Sequence, residues 1–580
     1  MTTWQILNNQ LIQDNSLIWK ALTSDVWAFK GDGTIAASNY WRPTFTAWHI
    51  LNYRLFGANP YGWHILNLLL HAGVCVLAYA LLRRWQFSAM IACAIALIFA
   101  VHPVHVESVA WISGSPDLLF ALAFLASLWF AQNYAEKPAE KTGARDLIFS
   151  LALYAVALGA KEIGILCLPI YYVILSDKQG SDKKARPFVP QLLSYLAVAA
   201  VYFIARMSIL GAISRRAEDA ASLQSAILSV PEMFAFYLRQ IFFPYWMSAS
   251  YPLQPVVQPG LLNFVVPLLV SLAALAGIFY IARKSKTGKI AALIFILPLL
   301  PAMNATAFIQ IVHDRYLYLP LLGILMLIAL FVTKFLNEQY ILIAGTLLSL
   351  LLCFQTFTYN RAWANDFELW SWSSKVDNSA FTWTQYGEAL SEQNKLDEAI
   401  RAHTNSINTQ PTTRGYLARG RTYLKKKQYP ESEKDLTIVL ATPDEKVEAY
   451  ALYQAYEAIA LLYSEQRKYD EAIKKLEEGR RKLPIYSASL TTNLAIVLYQ
   501  KGLKDVALRE LEGAKAQARK EFLPESKAAF LRLGMLYAEL GRKAEARSAL
   551  QEYLGLTANF KDKFTLEDRS QANKVLKGLN

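Results

Sequence analysis

Between two long apolar runs stand His102, His105, Glu107 and Asp117, in His-Pro-Val-His-Val-Glu-Ser-Val-Ala-Trp-Ile-Ser-Gly-Ser-Pro-Asp. A connection between apolar helices needs only a few Ser, Gly or Asn residues, and ionisable groups at a membrane boundary are costly unless they face protein or water. The stretch therefore predicts a polar site opening at one membrane face. A solvated loop with a helix-capping Asp is the competing account. More ionisable groups stand at comparable junctions: Arg42 after Tyr40-Trp41, the Lys161-Glu162 pair between two apolar runs, and His313-Asp314-Arg315 before another. Together they offer acids to move a proton and cations to hold an anion.

The elements that must position these groups are apolar. Of the 580 residues, 54% are hydrophobic and 13% aromatic, and the formal net charge is +13. That average joins two unlike halves. Apolar runs at about 61–82, 87–101, 117–134, 146–160, 163–176, 190–210, 260–282, 289–303, 316–334 and 340–357 predict about ten membrane spans, whereas the chain beyond Tyr359 reads as charged helices. The pair at 146–160 and 163–176 hinges at Lys161-Glu162 and carries Pro169, so it predicts an oblique or partial crossing. Residues 221–243 have helical periodicity with one apolar side and predict a helix in the interface plane.

Alternate connections differ in charge. Arg83-Arg84, 135–145, 177–187, Arg283 to Lys289 and Lys334 hold fourteen Lys or Arg, against five in the intervening ones. This bias makes the first set cytoplasmic and puts 1–60, the His102–Asp117 stretch, Lys161-Glu162, the 211–259 loop, His313 to Arg315 and everything after 357 on the opposite side. The basic charge thus orients a membrane protein, and no nucleic-acid partner is implied. Cys75, Cys93, Cys167 and Cys353 fall inside the apolar runs without ligand-like spacing and read as packing residues.

In the second half, small residues recur at Gly387, Gly420, Ala460, Ala495 and Gly534, each followed twelve positions later by Ala399, Ser432, Ala472, Ala507 and Ala546. Repeated small residues at one spacing predict about five tetratricopeptide (TPR) units, because helices of a pair touch where side chains are small. The fold class is therefore all-α: a polytopic helical membrane domain followed by a C-terminal α-solenoid with a concave surface for a peptide or protein. The boundaries read as an external juxtamembrane segment 1–60, a membrane domain 61–357, a linker 358–379, repeats 380–560 and a capping tail 561–580.

The His102–Asp117 motif, His313-Asp-Arg-Tyr-Leu-Tyr-Leu-Pro320, Tyr40-Trp-Arg-Pro43 and Asn59-Pro-Tyr-Gly-Trp-His64, followed by TPR units, resemble the transmembrane and TPR-containing O-mannosyltransferases and their bacterial relatives. The resemblance implies a GT-C-like glycosyltransferase that passes a mannose-like sugar from a polyprenyl-phosphate donor to a protein hydroxyl on the periplasmic face of a bacterial inner membrane. On that reading Glu107 and Asp117 are the candidate catalytic acids. Arg42, Lys161, Glu162, Asp314 and Arg315 are candidate substrate contacts, with Arg315 preferred for the phosphate. His102 and His105 lie three apart, but Pro103 interrupts the helix that would align them, so hydrogen bonding to sugar or phosphate is favoured over metal ligation. No cofactor beyond the lipid-linked sugar is expected, and no metal is assigned.

One departure bears on activity. In the family the catalytic acid belongs to an acidic pair shortly before the segment matched by Ile6 to Asp14, whereas this sequence starts Met1-Thr2-Thr3. Residues 1–60 also have no basic stretch followed by an apolar one, so they do not read as a signal peptide. An upstream hydrophobic segment ending in that pair is the expectation. The alternative is a catalytically silent membrane anchor displaying a TPR scaffold for protein–protein interaction.

Overall fold

The computed structural model describes residues 5–30, 38–136, 143–176, 189–211, 222–303, 312–443, 447–521, 524–558 and 563–579. Among these every regular element is helical. The chain forms two compact units, Asn39–Asp377 on the one hand and Met1–Ser38 with Asn378–Asn580 on the other. The 1–60 segment is thus divided between them, and the 358–379 stretch contains a helix, Asp366–Val376, that packs within the first unit through the Trp372 Nε1 bond to Met247 O (2.8 Å).

In the Asn39–Asp377 unit all ten apolar runs are helical, but they differ in length. Pro60–Arg84, Ile112–Glu136, Gly143–Ala160, Val189–Leu210, Leu261–Ala282 and Glu338–Ala364 are long and apolar enough to cross a membrane. Ala89–Val101 continues into Pro103–Ala110 through a 50° bend, and Glu162–Leu175, Lys286–Ile296 and Pro320–Val332 are shorter. Proline accounts for these breaks: Pro103 cannot donate to the preceding turn, Pro169 and Pro320 start helices, and Pro298 and Pro301 turn the run after Ile296 into 3-10 turns. The run at 221–243 folds as the Leu223–Phe242 helix, whose Met233, Phe234, Tyr237 and Ile241 are buried.

Apolar side chains gain little from packing on one another in a lipid solvent, so close backbone approach and shared hydrogen bonds carry the contacts between spans. The Ser115–Glu136 and Gly143–Ala160 helices form an antiparallel pair bound at mid-length by reciprocal bonds, Ser127 Oγ to Ser150 O and Ser150 Oγ to Ser127 O, both 2.7 Å. Tyr171 OH donates to Ser127 Oγ (2.7 Å), and Tyr195 OH meets Ser150 Oγ (2.5 Å). A Cβ on Gly323 would stand 2.5 Å from Phe295 N, so the Pro320–Val332 helix can lie against Lys286–Ile296 only without one.

The two ends of this bundle differ. The N-terminus of Ser115–Glu136 and the C-terminus of Gly143–Ala160 share one end. At the other, Arg84 pairs with Glu136, Trp85 Nε1 donates to Gln132 Oε1 (2.8 Å), and Thr287 Oγ1 donates to Trp85 O (3.1 Å). The basic stretches Arg83-Arg84 and Arg283 to Lys289 therefore meet at one end of the bundle, as their common charge predicts.

The second unit contains five successive helix pairs, Ala380–Glu392 with Leu396–Thr409, Thr413–Lys425 with Tyr429–Ala441, Ala449–Glu465 with Tyr469–Lys482, Ser487–Gln500 with Lys504–Lys520, and Pro524–Glu539 with Lys543–Leu556, then a last helix Lys563–Gly578. A Cβ on Gly387, Gly420 or Gly534 would fall 2.4 Å from the His403 ring, 3.1 Å from Leu436 or 2.5 Å from Leu550, respectively. Ala399, Ser432, Ala472, Ala507 and Ala546 are fully buried opposite these positions. First helices pack on the first helices of the next pair, while successive second helices do not make comparable contact, so the first helices form the inner layer of the array.

Candidate functional site

Three ion pairs assemble where the Ser115–Glu136 helix begins and Gly143–Ala160 ends. Asp117 lies in the first turn of its helix and Lys161 immediately follows Ala160, so the antiparallel pair brings Lys161 Nζ onto Asp117 Oδ1. Both side chains are buried. Glu162 grips Arg42 in a fork, with Nε to Oε2 at 3.0 Å and Nη2 to Oε1 at 2.9 Å. That fork depends on close packing behind it: Thr44 Oγ1 donates to Val156 O (2.9 Å), and a Cβ on Gly159 would reach within 2.4 Å of the same Oγ1. The chain ahead of Arg42 is held by Tyr202 OH to Trp41 O (3.0 Å) and Arg206 Nη2 to Asn39 O (2.8 Å).

The third pair spans the two most separated motifs. Both Glu107 oxygens accept from Arg315, Oε2 from its backbone N–H (3.0 Å) and Oε1 from Nη1. The Arg315 guanidinium also lies over Trp111 (5.7 Å) and Tyr316 (5.2 Å), and Lys161 Nζ lies 5.2 Å from the same Tyr316 ring. Tyr316 is thus the hub, and Asp117 acts electrostatically on both Arg42 and Arg315. Burial weakens the charged form of each arginine, but the adjoining carboxylate outweighs it and raises both above the ordinary guanidinium value.

Asp314 points away from this cluster. It is fully buried; its Oδ1 accepts from Gln240 Nε2 (2.9 Å) and its Oδ2 from Tyr251 OH (2.6 Å). Tyr251 oxygen in turn accepts from Ser248 N (2.9 Å) and Gln240 Nε2 (2.7 Å). Burial, reinforced by the nearby Glu107 charge, pushes the Asp314 carboxyl up to about 8, against the pull of its two donors. His313 has its Nδ1 3.8 Å from Glu107, but burial and then the Arg315 and Lys161 charges push it well below the usual imidazole range, so it stands there neutral.

The sequence candidates fall into two groups. Arg42, Glu107, Asp117, Lys161, Glu162 and Arg315 converge, with Asp314 beneath them. His102 and His105 turn inward: His102 Nε2 meets Ile241 O (3.0 Å), its Nδ1 accepts from Val104 N (3.3 Å), and the His105 ring packs 4.5 Å from both Phe99 and Tyr318. Among the described residues no group of His, Cys, Asp and Glu could hold a metal. Sequence reasoning missed Gln240, Tyr251, Tyr202 and Arg206 as supports. The one signal available for any of them is the aromatic content of the stretch Tyr245-Trp-Met-Ser-Ala-Ser-Tyr251.

A helical bundle with several spans, an ionic cluster at one end and a TPR array in the same chain define a multi-pass membrane protein with an interaction module. Residues 42–205 match the family "Dolichyl-phosphate-mannose-protein mannosyltransferase", and residues 492–559 match a tetratricopeptide repeat family. The first match contains every acid of the three pairs and two of their three cations. The chain is homologous to the curated Protein O-mannosyl-transferases: to TMTC3 of Mus musculus at 26% identity over 474 residues, covering 74% of this chain and 50% of that one. With TMTC4 of Homo sapiens the identity is 35% over 182 residues, covering 28% and 24%. With F38B6.6 of Caenorhabditis elegans it is 24%, covering 70% and 59%. The chain thus spans about half the length of the TMTC3 proteins it matches.

Proposed function

We propose that this protein is a membrane glycosyltransferase that moves a mannose-like sugar from a polyprenyl-phosphate donor to a protein hydroxyl, on the membrane face opposite the Arg83-Arg84 and Arg283 to Lys289 stretches. The observation that carries this reading is the convergence of three acid–cation pairs around Tyr316 within a bundle whose 42–205 region matches a mannosyltransferase family. A structural anchor has no need of six ionised groups at one end of its spans, each of which carries a desolvation cost.

The geometry divides the roles. Both Glu107 oxygens are committed to Arg315, so Glu107 orients the guanidinium, whose remaining N–H groups are the phosphate contact. Asp117 uses Oδ1 for Lys161 and has Oδ2 to take the acceptor hydroxyl's proton as the glycosidic carbon is attacked. Lys161 and Arg42 stabilise the departing lipid phosphate. The TPR array holds the acceptor polypeptide. In a periplasm-bearing cell this chemistry sits on the periplasmic side of the inner membrane.

The test is release and transfer of radiolabelled sugar from polyprenyl-phosphate donors by purified full chain in detergent. Turnover abolished by Asp117→Asn supports the reading. No turnover with any of several donors, together with donor affinity unmoved by Arg315→Ala, overturns it in favour of the membrane-anchored scaffold, a reading that the full internal pairing of Arg42, Lys161 and Arg315 also suits.

A further inference from the structure

At the end of the bundle opposite the ion pairs, three cations gather around one exposed ring. Tyr280 lies in the last turn of the Leu261–Ala282 span and is 44% exposed. Lys284 Nζ stands over its ring, 3.8 Å from the centre, and donates to its hydroxyl at 2.5 Å. The Arg283 guanidinium lies 5.2 Å from the same centre, and Lys334 Nζ, just beyond the Pro320–Val332 helix, 5.7 Å. All three cations are exposed, and none of them has an ion pair among the described residues, whereas Arg84 at the same end has Glu136.

Long basic side chains at the end of a span ordinarily turn out to water. Here side chains from two separate helices turn in on one ring. Gathering three like charges costs free energy that the electron-rich ring face offsets only in part, so an anion completes the arrangement. The surface leading to the cluster indicates what carries that anion. Ala273, Ala276 and Gly277 precede Tyr280 on one face of its helix and are exposed, and a Cβ on Gly277 would meet nothing within 4 Å. Leu272, Phe279 and, beside Lys334, Phe331 and Phe335 are exposed as well. A shallow apolar track thus runs along a span that is only 17% buried and ends at the cations. A free anion has no use for such a track, whereas an anion attached to an acyl chain uses both parts.

We propose that Arg283, Lys284 and Lys334 around Tyr280 bind the phosphate of an anionic phospholipid whose acyl chain lies along Ala273, Ala276 and Gly277. The Arg283 fork offers paired N–H groups to two phosphate oxygens, and the two lysines add charge without fixing its direction. Basic clusters between the ends of spans hold lipid head groups in this way. The site lies at the opposite end of the bundle from the Tyr316 cluster and stands independently of the transferase reading.

The test is competitive lipid retention by the delipidated full chain in detergent, read by native mass spectrometry after incubation with equal amounts of phosphatidylglycerol and phosphatidylethanolamine of the same acyl chains. The parental chain should retain phosphatidylglycerol roughly tenfold or more over the zwitterionic lipid. An Arg283→Gln, Lys284→Gln, Lys334→Gln triple variant should lose most of that preference at parental helicity. Lys289→Gln, in the same basic stretch but not at this ring, and Arg315→Ala, at the opposite end, should keep it. Gly277→Leu should lower phosphatidylglycerol retention by obstructing the track, and excess inorganic phosphate at constant ionic strength should not displace the lipid. Equal retention of the two lipids, a preference that survives the triple variant, or one lost equally in Lys289→Gln overturns the site. Displacement by inorganic phosphate assigns the cations to a free anion and overturns the lipid.

Discussion

Arg315 combines an observed structural role with the phosphate contact proposed for it. Its Nη1 and backbone N–H serve Glu107, and two aromatic rings flank its plane. Arg315→Lys keeps the charge but cannot satisfy Glu107 and a phosphate with one fork. It should weaken donor binding by about tenfold or more, measured by titration with a fluorescent lipid-phosphate sugar. Asp117→Asn, in contrast, should leave donor affinity nearly unchanged and remove transfer. The Asp314 carboxyl gives a pH signature. Its folded value of about 8 exceeds the ordinary 3.8, so the folded state binds the proton more tightly. The stability this confers is complete below the ordinary value and drains away as pH rises toward 8. The melting temperature, followed by tryptophan fluorescence, should fall between pH 5.5 and pH 8.5, and Asp314→Asn should flatten that slope. At this scale the sequence shows which groups are ionisable but not how they pair. Arg42 and Glu162 are 120 positions apart, and Glu107 and Arg315 are 208 apart, so only tertiary packing brings them together. His102 and His105 share the motif of Glu107 yet turn away from it, because Pro103 starts a 3-10 turn that points both rings inward.

Elements succeed or fail by close contacts. Gly159 admits the Thr44 side chain beneath the Arg42–Glu162 fork, so Gly159→Val should push the Pro43–Phe56 helix outward, break the fork and lower activity while the spans stay helical by circular dichroism. In the solenoid, Lys527 Nζ caps the Lys504–Lys520 helix by donating to Ala518 O, Arg519 O and Glu521 O. Lys527→Met strands these carbonyls in a buried place at a cost of roughly 1–3 kcal/mol. Faster amide hydrogen exchange in the last two turns of that helix, with the second and third pairs unaffected, is the expected reading, since repeats contact mainly their neighbours. Helical character was legible from apolar run length and the repeat spacing because both are local signals. Where each run bends or stops was less so. Pro103 and Pro169 are visible in the sequence, but the turns after Ile296 arise from two prolines inside a run that composition alone reads as a continuous span.

Within the Asn39–Asp377 unit, the basic stretches meet at one end of the bundle and the Arg42–Glu162, Asp117–Lys161 and Glu107–Arg315 pairs at the other, which gives a direct test of sidedness. Ala58→Cys and Lys284→Cys, both at exposed positions in a Cys-free background, should differ on intact cells: an impermeant maleimide should label the first and leave the second until the membrane is opened. Labelling of Lys284→Cys alone would invert the orientation. Removing residues 380–580 should spare release of sugar to water or a small alcohol and abolish transfer to a protein, read in the same radiolabel assay. The division of the first sixty residues between two units was hidden from the sequence, since nothing in their composition changes near Ser38.

The internal neutrality of the ionic cluster has a kinetic side. A sugar-loaded lipid phosphate is a diester with one charge, and the spent lipid is a monoester approaching two. On the proposed function, bare cations at such a mouth would grip the spent carrier harder than the loaded one and clog the transferase with its own by-product. With Arg42, Lys161 and Arg315 each answered by a carboxylate, a spent carrier in the proposed reaction would have to compete with Glu162, Asp117 and Glu107 for every contact it keeps. In the proposed transferase the tethered acids would thus act as built-in displacers, returning each cation to its partner and sending the empty carrier back to the bilayer for reloading.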